Sequence, residues 1–314
     1  MTTMLTLPVA VTKDLLTGAE WSPADARELL QRTADIKARP AKYASTLRGK
    51  HIALIFEKPS LRTRVTFEVG IQSMGGFVVF LDHTQARLGE RAVRTRGRQY
   101  LAPSVRGCAP RRGWIRVLDE MAENISIPVI NALSDKFHPC QALADYFTLE
   151  EKFGSLKGLK LAYVGDGNNV CNSLIFLGAR LGVNLRVATP ASYAPAADVL
   201  ADAKRVAKET RARIELFTNP AEAVEGVQAV YTDSWTSMGF EAEEKMRRQV
   251  FKNYQVNRKL MEQAGPGALF MHCLPAHRGQ EVTDEVLDGP TSVVLQQSEN
   301  RMYVQKAILH ALFT

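Results

Sequence analysis

The residues best suited to chemistry fall in four short polar stretches, and the first of them reads Phe56-Glu57-Lys58-Pro59-Ser60-Leu61-Arg62-Thr63-Arg64. Residues 51–56 are an apolar run that predicts a short buried strand. Val65, Phe67, Val69, Ile71 and Met74 predict a helix over 62–74 that is buried on more than one side. Strand, polar turn and helix in that order bring Ser60 and Thr63 to unpaired backbone N–H groups at a helix start. Hydroxyls, free N–H groups and two arginines there suit a multiply charged oxyanion, most simply a phosphate. The competing reading makes Ser60 a helix cap and leaves the arginines in water.

The second stretch, His138-Pro139-Cys140-Gln141, opens another helix, where the local dipole disfavours imidazolium. A neutral His138 can then donate to a carbonyl oxygen, and Gln141 offers an amide donor or acceptor one turn along; equally, both side chains can do no more than satisfy backbone groups. The third, residues 233–239, joins the carboxylate of Asp233 to small hydroxyl residues and Met238, a set that suits a cationic amine or forms a capping loop. The fourth places Cys273 beside His272, His277 and Arg278, neighbours that are expected to lower its pKa if the thiol is reactive and not inert packing. His138, His272 and His277 have no compact ligand spacing, so no metal is expected.

Each stretch follows a predicted strand, which puts it at the ligand-facing edge of a parallel sheet. Ser22, Pro23 and Asp25 mark the start of a helix running to about residue 37. Strands are expected near 77–81, 128–130, 159–164, 184–189, 214–217, 229–232, 268–271 and 292–295, with helices between them near 118–122, 140–153 and 170–181 and a last one over 299–312. This alternation predicts an α/β protein of two domains, each with a mainly parallel sheet flanked by helices and linked by helices that include the C-terminal one. The expected division is 1–150, joined by helix 299–314, and 151–298. A glycine turn at 165–169 lacks the sixth-position glycine of a dinucleotide fingerprint, because that position is Val170.

The chain has 314 residues, 46% hydrophobic and 23% charged, as in soluble two-domain proteins. No apolar run reaches 18 residues, and residues 1–10 carry neither a basic leader nor a long apolar core, so a membrane or secretory role is not expected. Four scattered cysteines fit a reducing cytoplasm. The net charge of +7 lies in residues 91–118, which hold eight arginines and no Asp, Glu or Lys, while the rest of the chain carries −1. That segment lacks the aromatic platforms and regular basic face of a nucleic-acid site, so no nucleic-acid partner is expected.

Taken together, the four stretches resemble the aspartate/ornithine carbamoyltransferase family, and Ser237-Met238-Gly239 with His272-Cys273-Leu274-Pro275 resembles its ornithine branch. The resemblance implies transfer of a carbamoyl group from carbamoyl phosphate to the δ-amine of L-ornithine, giving L-citrulline and phosphate. It implies no metal and no organic cofactor, and a homotrimer with sites near subunit boundaries. Carried over by position, Ser60, Leu61, Arg62 and Thr63 hold the phosphate and Gln85 makes another contact to the same substrate. His138, Pro139, Cys140 and Gln141 hold the carbamoyl end, with Arg301 close by. Asn169, Asp233, Ser237 and Met238 hold ornithine, Asp233 on its α-amino group, and Cys273 and Leu274 border both substrates. Arg62, Arg111, His138 and Cys273 are the expected catalytic groups, with a Cys273 thiolate as a local proton acceptor. Transfer to aspartate, N-acetylornithine or putrescine is the nearest alternative, and a catalytically impaired homologue is another.

Residues 91–118 depart from the family pattern. An amphipathic helix and an apolar strand are replaced by arginines and by helix-breaking Gly97, Pro103, Gly107, Pro110 and Gly113. The family spacing resumes at Asp119, and ungapped counting puts Arg111 at the expected arginine. Preserved length with altered character fits two compensating frame changes in the coding sequence; a basic surface insertion would lengthen the chain.

Overall fold

The computed structural model describes residues 13–56, 61–82, 114–236 and 241–314. Ser60, Gln85, Arg111, Ser237, Met238 and most of the arginine-rich segment, through residue 113, lie outside them.

Helix α1 (Pro23–Ala38) begins as its sequence predicts, with Ser22 and Asp25 forming a reciprocal capping box around a proline at the first turn. Strand β1 (His51–Phe56), helix α2 (Leu61–Ser73) and strand β2 (Phe77–Asp82) form a βαβ unit in which β1 and β2 run parallel. Phe67 and Ile71 bury one face of α2, and Met74 is buried just beyond its end. The expectation of burial on more than one side is not met, because Val65 and Val69 are exposed, as are Phe77, Val79 and Phe80 on β2. Arg64 covers part of this face, its guanidinium 3.9 Å from the Phe80 ring centroid.

Helix α3 (Trp114–Asn124) packs Leu118 and Met121 with Ile55 and Val129 in a small satellite core. The strand expected at 128–130 reduces to an isolated parallel bridge between Ile130 and Leu15, since Pro128 cannot donate to a ladder. Helix α4 (Pro139–Phe153) ends at Gly154, whose φ of 74° suits a glycine C-cap.

The second unit holds β3 (Lys160–Val164), α5 (Asn169–Leu181), β4 (Asn184–Ala188), α6 (Ala197–Thr210), β5 (Ile214–Phe217), α7 (Pro220–Val224) and β6 (Ala229–Thr232). It continues through α8 (Glu244–Phe251), α9 (Arg258–Ala264), β7 (Leu269–His272) and α10 (Asp284–Leu287). Its five strands are all parallel in the order β5-β4-β3-β6-β7. The winding reverses between β3 and β6, and a ligand crevice opens beyond the carboxyl ends of strands at such a point.

Helix α11 (Val294–Phe313) starts five residues before the expected Glu299. The strand expected at 292–295 is only a bridge from Ser292 to Phe270. A short apolar run fits either element; here burial alternates at helical period, with Val294 buried and Leu295 exposed, and Gln297 is fixed on α11 by bonds to two neighbouring elements. One continuous core runs from Ile52 and Leu54 through Phe67, Tyr146, Val304 and Ile308 to Leu174 and Leu185, so α4, α5 and α11 weld the two sheets together. A second cluster, with Val164, Val230, Phe251 and Phe270, backs the other face of the five-stranded sheet.

Candidate active site

The first turn of α2 and the middle of α11 meet over the start of α4. Arg301 donates from its guanidinium to the Thr63 hydroxyl at 2.5 Å, and both residues are buried. Arg62 reaches across to the second unit and donates to the carbonyl of Leu274. His138 is held by its backbone N–H, which donates to Ser173 Oγ of α5 at 2.7 Å. Burial first, then Arg301 and Arg62, pushes the His138 ring well below the usual imidazole range, so it is neutral. Burial and the two guanidinium groups, and not the helix start alone, disfavour the imidazolium here.

Burial and the neighbouring Arg62 likewise disfavour the charge on Arg301. Two guanidinium groups held this close repel, and an anion between them relieves that repulsion. Arg62 Nε, Arg301 Nε, His138 Nδ1 and Gln141 Oε1 are all buried without a hydrogen-bond partner among the described residues. A buried polar atom left unpaired costs about 1–3 kcal/mol, which a ligand with matching groups recovers. Pro139 is the first residue of α4, and Cys140 turns its thiol toward the Asn131 carbonyl, with burial pushing its pKa up to about 12. Leu61 opens α2.

On the opposite side, the reversal point of the large sheet brings three loops together. Asn168 caps α5, its Oδ1 accepting from Val170 and Cys171, and its Nδ2 donates to Asp233 Oδ2 at 2.8 Å. Asp233 Oδ1 accepts from the Cys273 thiol at 3.0 Å and from the Ser234 backbone N–H at 2.8 Å. The expectation of a lowered Cys273 pKa is corrected here. Burial and then the adjacent Asp233 carboxylate push the thiol well above its ordinary value, so it is a protonated donor and no thiolate. His272 and His277 turn instead toward Glu281, and Arg278 pairs with Asp284 and Asp288.

Asp233, His272 and Cys273 bring their donor atoms within 4.8 Å of one another, as in a metal site. Their hydrogens explain the cluster without an ion. His272 Nδ1 accepts from the Leu274 N–H at 2.8 Å, so its Nε2 carries the proton toward Glu281 Oε1, 3.3 Å away, and neither ring nitrogen is spare. Leu274 itself has φ 58°, an uncommon left-handed conformation for this residue type, and a cis bond to Pro275 follows it.

Asn169, expected on the amine substrate, donates to the Ser134 carbonyl at 2.6 Å and links the two units. The residue that reaches Asp233 is its neighbour, Asn168. Gly167 has a local cause: a Cβ there would lie 2.4 Å from the Pro195 nitrogen and 2.5 Å from the Tyr193 carbonyl oxygen. Its bareness admits the chain's own backbone and not a pyrophosphate.

Sequence reasoning missed a buried layer behind these groups. Asp145, on the same face of α4 as Gln141, accepts from Gln141 Nε2 at 2.8 Å and from Gln297 Nε2 at 2.7 Å. Burial raises the Asp145 pKa to about 7. Arg247 pairs with Asp166 at 2.6 Å and donates to the Trp235 carbonyl, fixing the chain just after Asp233. The signal for Asp145 was its i+4 spacing from Gln141; nothing local marked Gln297 or Arg247.

Residues 13–151 match the family model described as the carbamoyl-P binding domain of aspartate/ornithine carbamoyltransferase, and residues 157–312 match its Asp/Orn binding domain. An ornithine carbamoyltransferase of Thermococcus kodakarensis is 49% identical over 90% of each chain. One from Halalkalibacterium halodurans is 44% identical over 96% of this chain and 95% of that one. The solved structure of an ornithine carbamoyltransferase from Pyrococcus furiosus superposes with a TM-score of 0.89 at 42% identity, covering 96% of both chains.

Proposed function

The chain belongs to the aspartate/ornithine carbamoyltransferase family, and we propose that its cleft transfers the carbamoyl group of carbamoyl phosphate to the δ-amine of L-ornithine, giving L-citrulline and phosphate. The observation that carries this reading is the facing of two unlike half-sites: Arg62, Thr63, His138 and Arg301 on one side, Asn168, Asp233 and Cys273 on the other. Arg62 spans them through Leu274.

In this reading the phosphate of the donor lies at the first turn of α2, between Arg62 and Arg301, with Ser60, Leu61, Thr63, Gln85 and Arg111 completing its contacts. His138, as a neutral donor, meets the carbonyl oxygen of the carbamoyl group, with Pro139, Cys140 and Gln141 around it. Asn169, Asp233, Ser237, Met238, Cys273 and Leu274 surround the amino acid, and Asp233 holds the α-ammonium. The neutral δ-nitrogen attacks the carbonyl carbon, the bond from that carbon to the phosphate oxygen breaks, and phosphate leaves with the electron pair. The proton that the nitrogen loses passes to the departing phosphate, the base that the reaction itself releases. Negative charge grows on the carbonyl oxygen and on the departing phosphate, and in this proposal His138 and the two arginines stabilise it. Two substrates fixed in a partly dehydrated cleft gain proximity as well.

Because Cys273 is a thiol hydrogen-bonded to Asp233, its proposed part is to orient that carboxylate and border the substrate, while the δ-proton passes to phosphate. No metal and no organic cofactor enter the proposal. The proposed division is a carbamoyl phosphate-binding domain over 1–150 joined by the closing helix, and an ornithine-binding domain over 151–298. The same proposal includes a homotrimer, a cytoplasmic location and a part in arginine biosynthesis; the exposed apolar face of α2 and β2 supports self-association. No helix among the described residues is long and apolar enough to cross a membrane.

The test is citrulline formation by protein of confirmed intact mass. Ornithine is compared with aspartate, N-acetylornithine and putrescine at fixed carbamoyl phosphate, and light scattering gives the assembly. Ornithine should be the preferred acceptor, and turnover of another amine in its place would overturn the assignment.

A further inference from the structure

Gln141 presents two chemically opposite atoms, and only one of them can face a carbamoyl group at a time. Its Nε2 donates to Asp145 Oδ1 at 2.8 Å, so its Oε1 is turned away from that carboxylate and is buried without a partner among the described residues. The same Asp145 oxygen accepts from Gln297 Nε2 at 2.7 Å. Gln297 in turn accepts at Oε1 from the backbone N–H of His272, 3.1 Å away, at the root of the Cys273–Leu274 loop. All three polar side chains are fully buried.

We propose that Asp145 is a positioning residue of the transfer. It locks the Gln141 amide with its oxygen toward the carbamoyl amino group, and through Gln297 it ties that choice to the loop bordering the acceptor. The proposal rests on the carbamoyl-transfer reading above. A carbamoyl amino group is a pure donor, so an amide turned the other way would set N–H against N–H. An ionised carboxylate behind Gln141 forbids this flip, since it accepts and does not donate, and with the Asp145 pKa raised to about 7 the lock is complete only above that pH. Arg301 and the hydroxyl of Tyr231 also face Asp145, the Tyr231 hydroxyl without a hydrogen bond of ordinary geometry, and Tyr231 in turn neighbours Cys273.

The experiment is an exchange. Asp145→Asn and Gln141→Glu are made singly and together in the full chain, and kcat and KM for each substrate are measured. Because Gln141 and Gln297 donate to the same oxygen of Asp145, in the double variant the new amide at position 145 serves the new carboxylate at position 141 by turning its nitrogen toward it, and Gln297 shifts to the amide oxygen beside it. The other oxygen at position 141 is then left toward the carbamoyl amino group. Each single change should lower kcat/KM for carbamoyl phosphate, and the double variant should recover about tenfold over Gln141→Glu. A double variant no better than the worse single one overturns the proposal, because a side chain that only fills space gives no such rescue. If Asp145→Asn does not fold, Gln297→Met keeps the Gln141–Asp145 bond and removes the arm through Gln297, with its bonds to both Asp145 and His272. It should then raise KM for ornithine more than KM for carbamoyl phosphate, and the reverse split overturns the proposal. Citrulline formation by the unmodified protein is the baseline; its absence would count against the transferase reading itself and is scored separately.

Discussion

Arg301 on the closing helix donates to the hydroxyl of Thr63 in the first turn of α2, joining residues 238 positions apart in the chain. The contact fixes one guanidinium where the second, from Arg62, repels it. Arg301→Met should therefore weaken carbamoyl phosphate far more than ornithine. A fall in kcat/KM of about 10²–10³ is expected, the size typical of losing one donor to developing negative charge. Steady-state kinetics with each substrate varied in turn checks it, and a loss confined to the ornithine KM would count against the placement.

His138 makes a prediction about acid. Its folded pKa lies well below 6.5, so as pH falls through 6.5 the unfolded chain takes up a proton that the folded one refuses. This residue's contribution to stability is complete above 6.5 and is lost progressively below it. His138→Asn should flatten that part of the profile in denaturant melts, and should also cut kcat by about 10²–10³ if the ring is a donor to the carbonyl oxygen.

Cys273 makes the complementary prediction at high pH. With its thiol held protonated by burial and Asp233, the rise of activity toward alkaline pH should follow deprotonation of the δ-ammonium of ornithine. Cys273→Ser should leave the position of that limb in place while lowering its height. A limb that moves with the substitution would restore the thiolate.

Arg247 sits under the acceptor loop, pairing with Asp166 and holding the Trp235 carbonyl. Removing one member of a buried pair strands the other, and Arg247→Met should cost about 3–5 kcal/mol by chemical denaturation. It should also raise the KM for ornithine, because Asp233 lies two residues before Trp235.

Much of the fold was legible because local signals agreed with one another. Ser22 with Asp25, and Pro139, marked helix starts, and residues 51–56 marked β1. The miss at 292–295 had a physical cause: Val293, Val294 and Leu295 carry no period long enough to separate strand from helix, and Gln297 fixed the outcome through tertiary bonds. The half-sites were legible as residue types, but their couplings were not. Nothing local shows that Cys273 donates to Asp233, 40 residues away, or that Asn168 and not Asn169 reaches the same carboxylate. The neighbours in sequence predicted an acidic thiol, whereas the neighbours in space make a reluctant one.

Helix α11 supplies Arg301 to one half of the cleft and Gln297 to the other. Because residues 294–313 leave the ribosome after both sheets, a nascent chain can shape its scaffold long before it acquires any affinity for a doubly charged donor. On the proposed role of Arg301, catalytic competence waits on the arrival of this one helix.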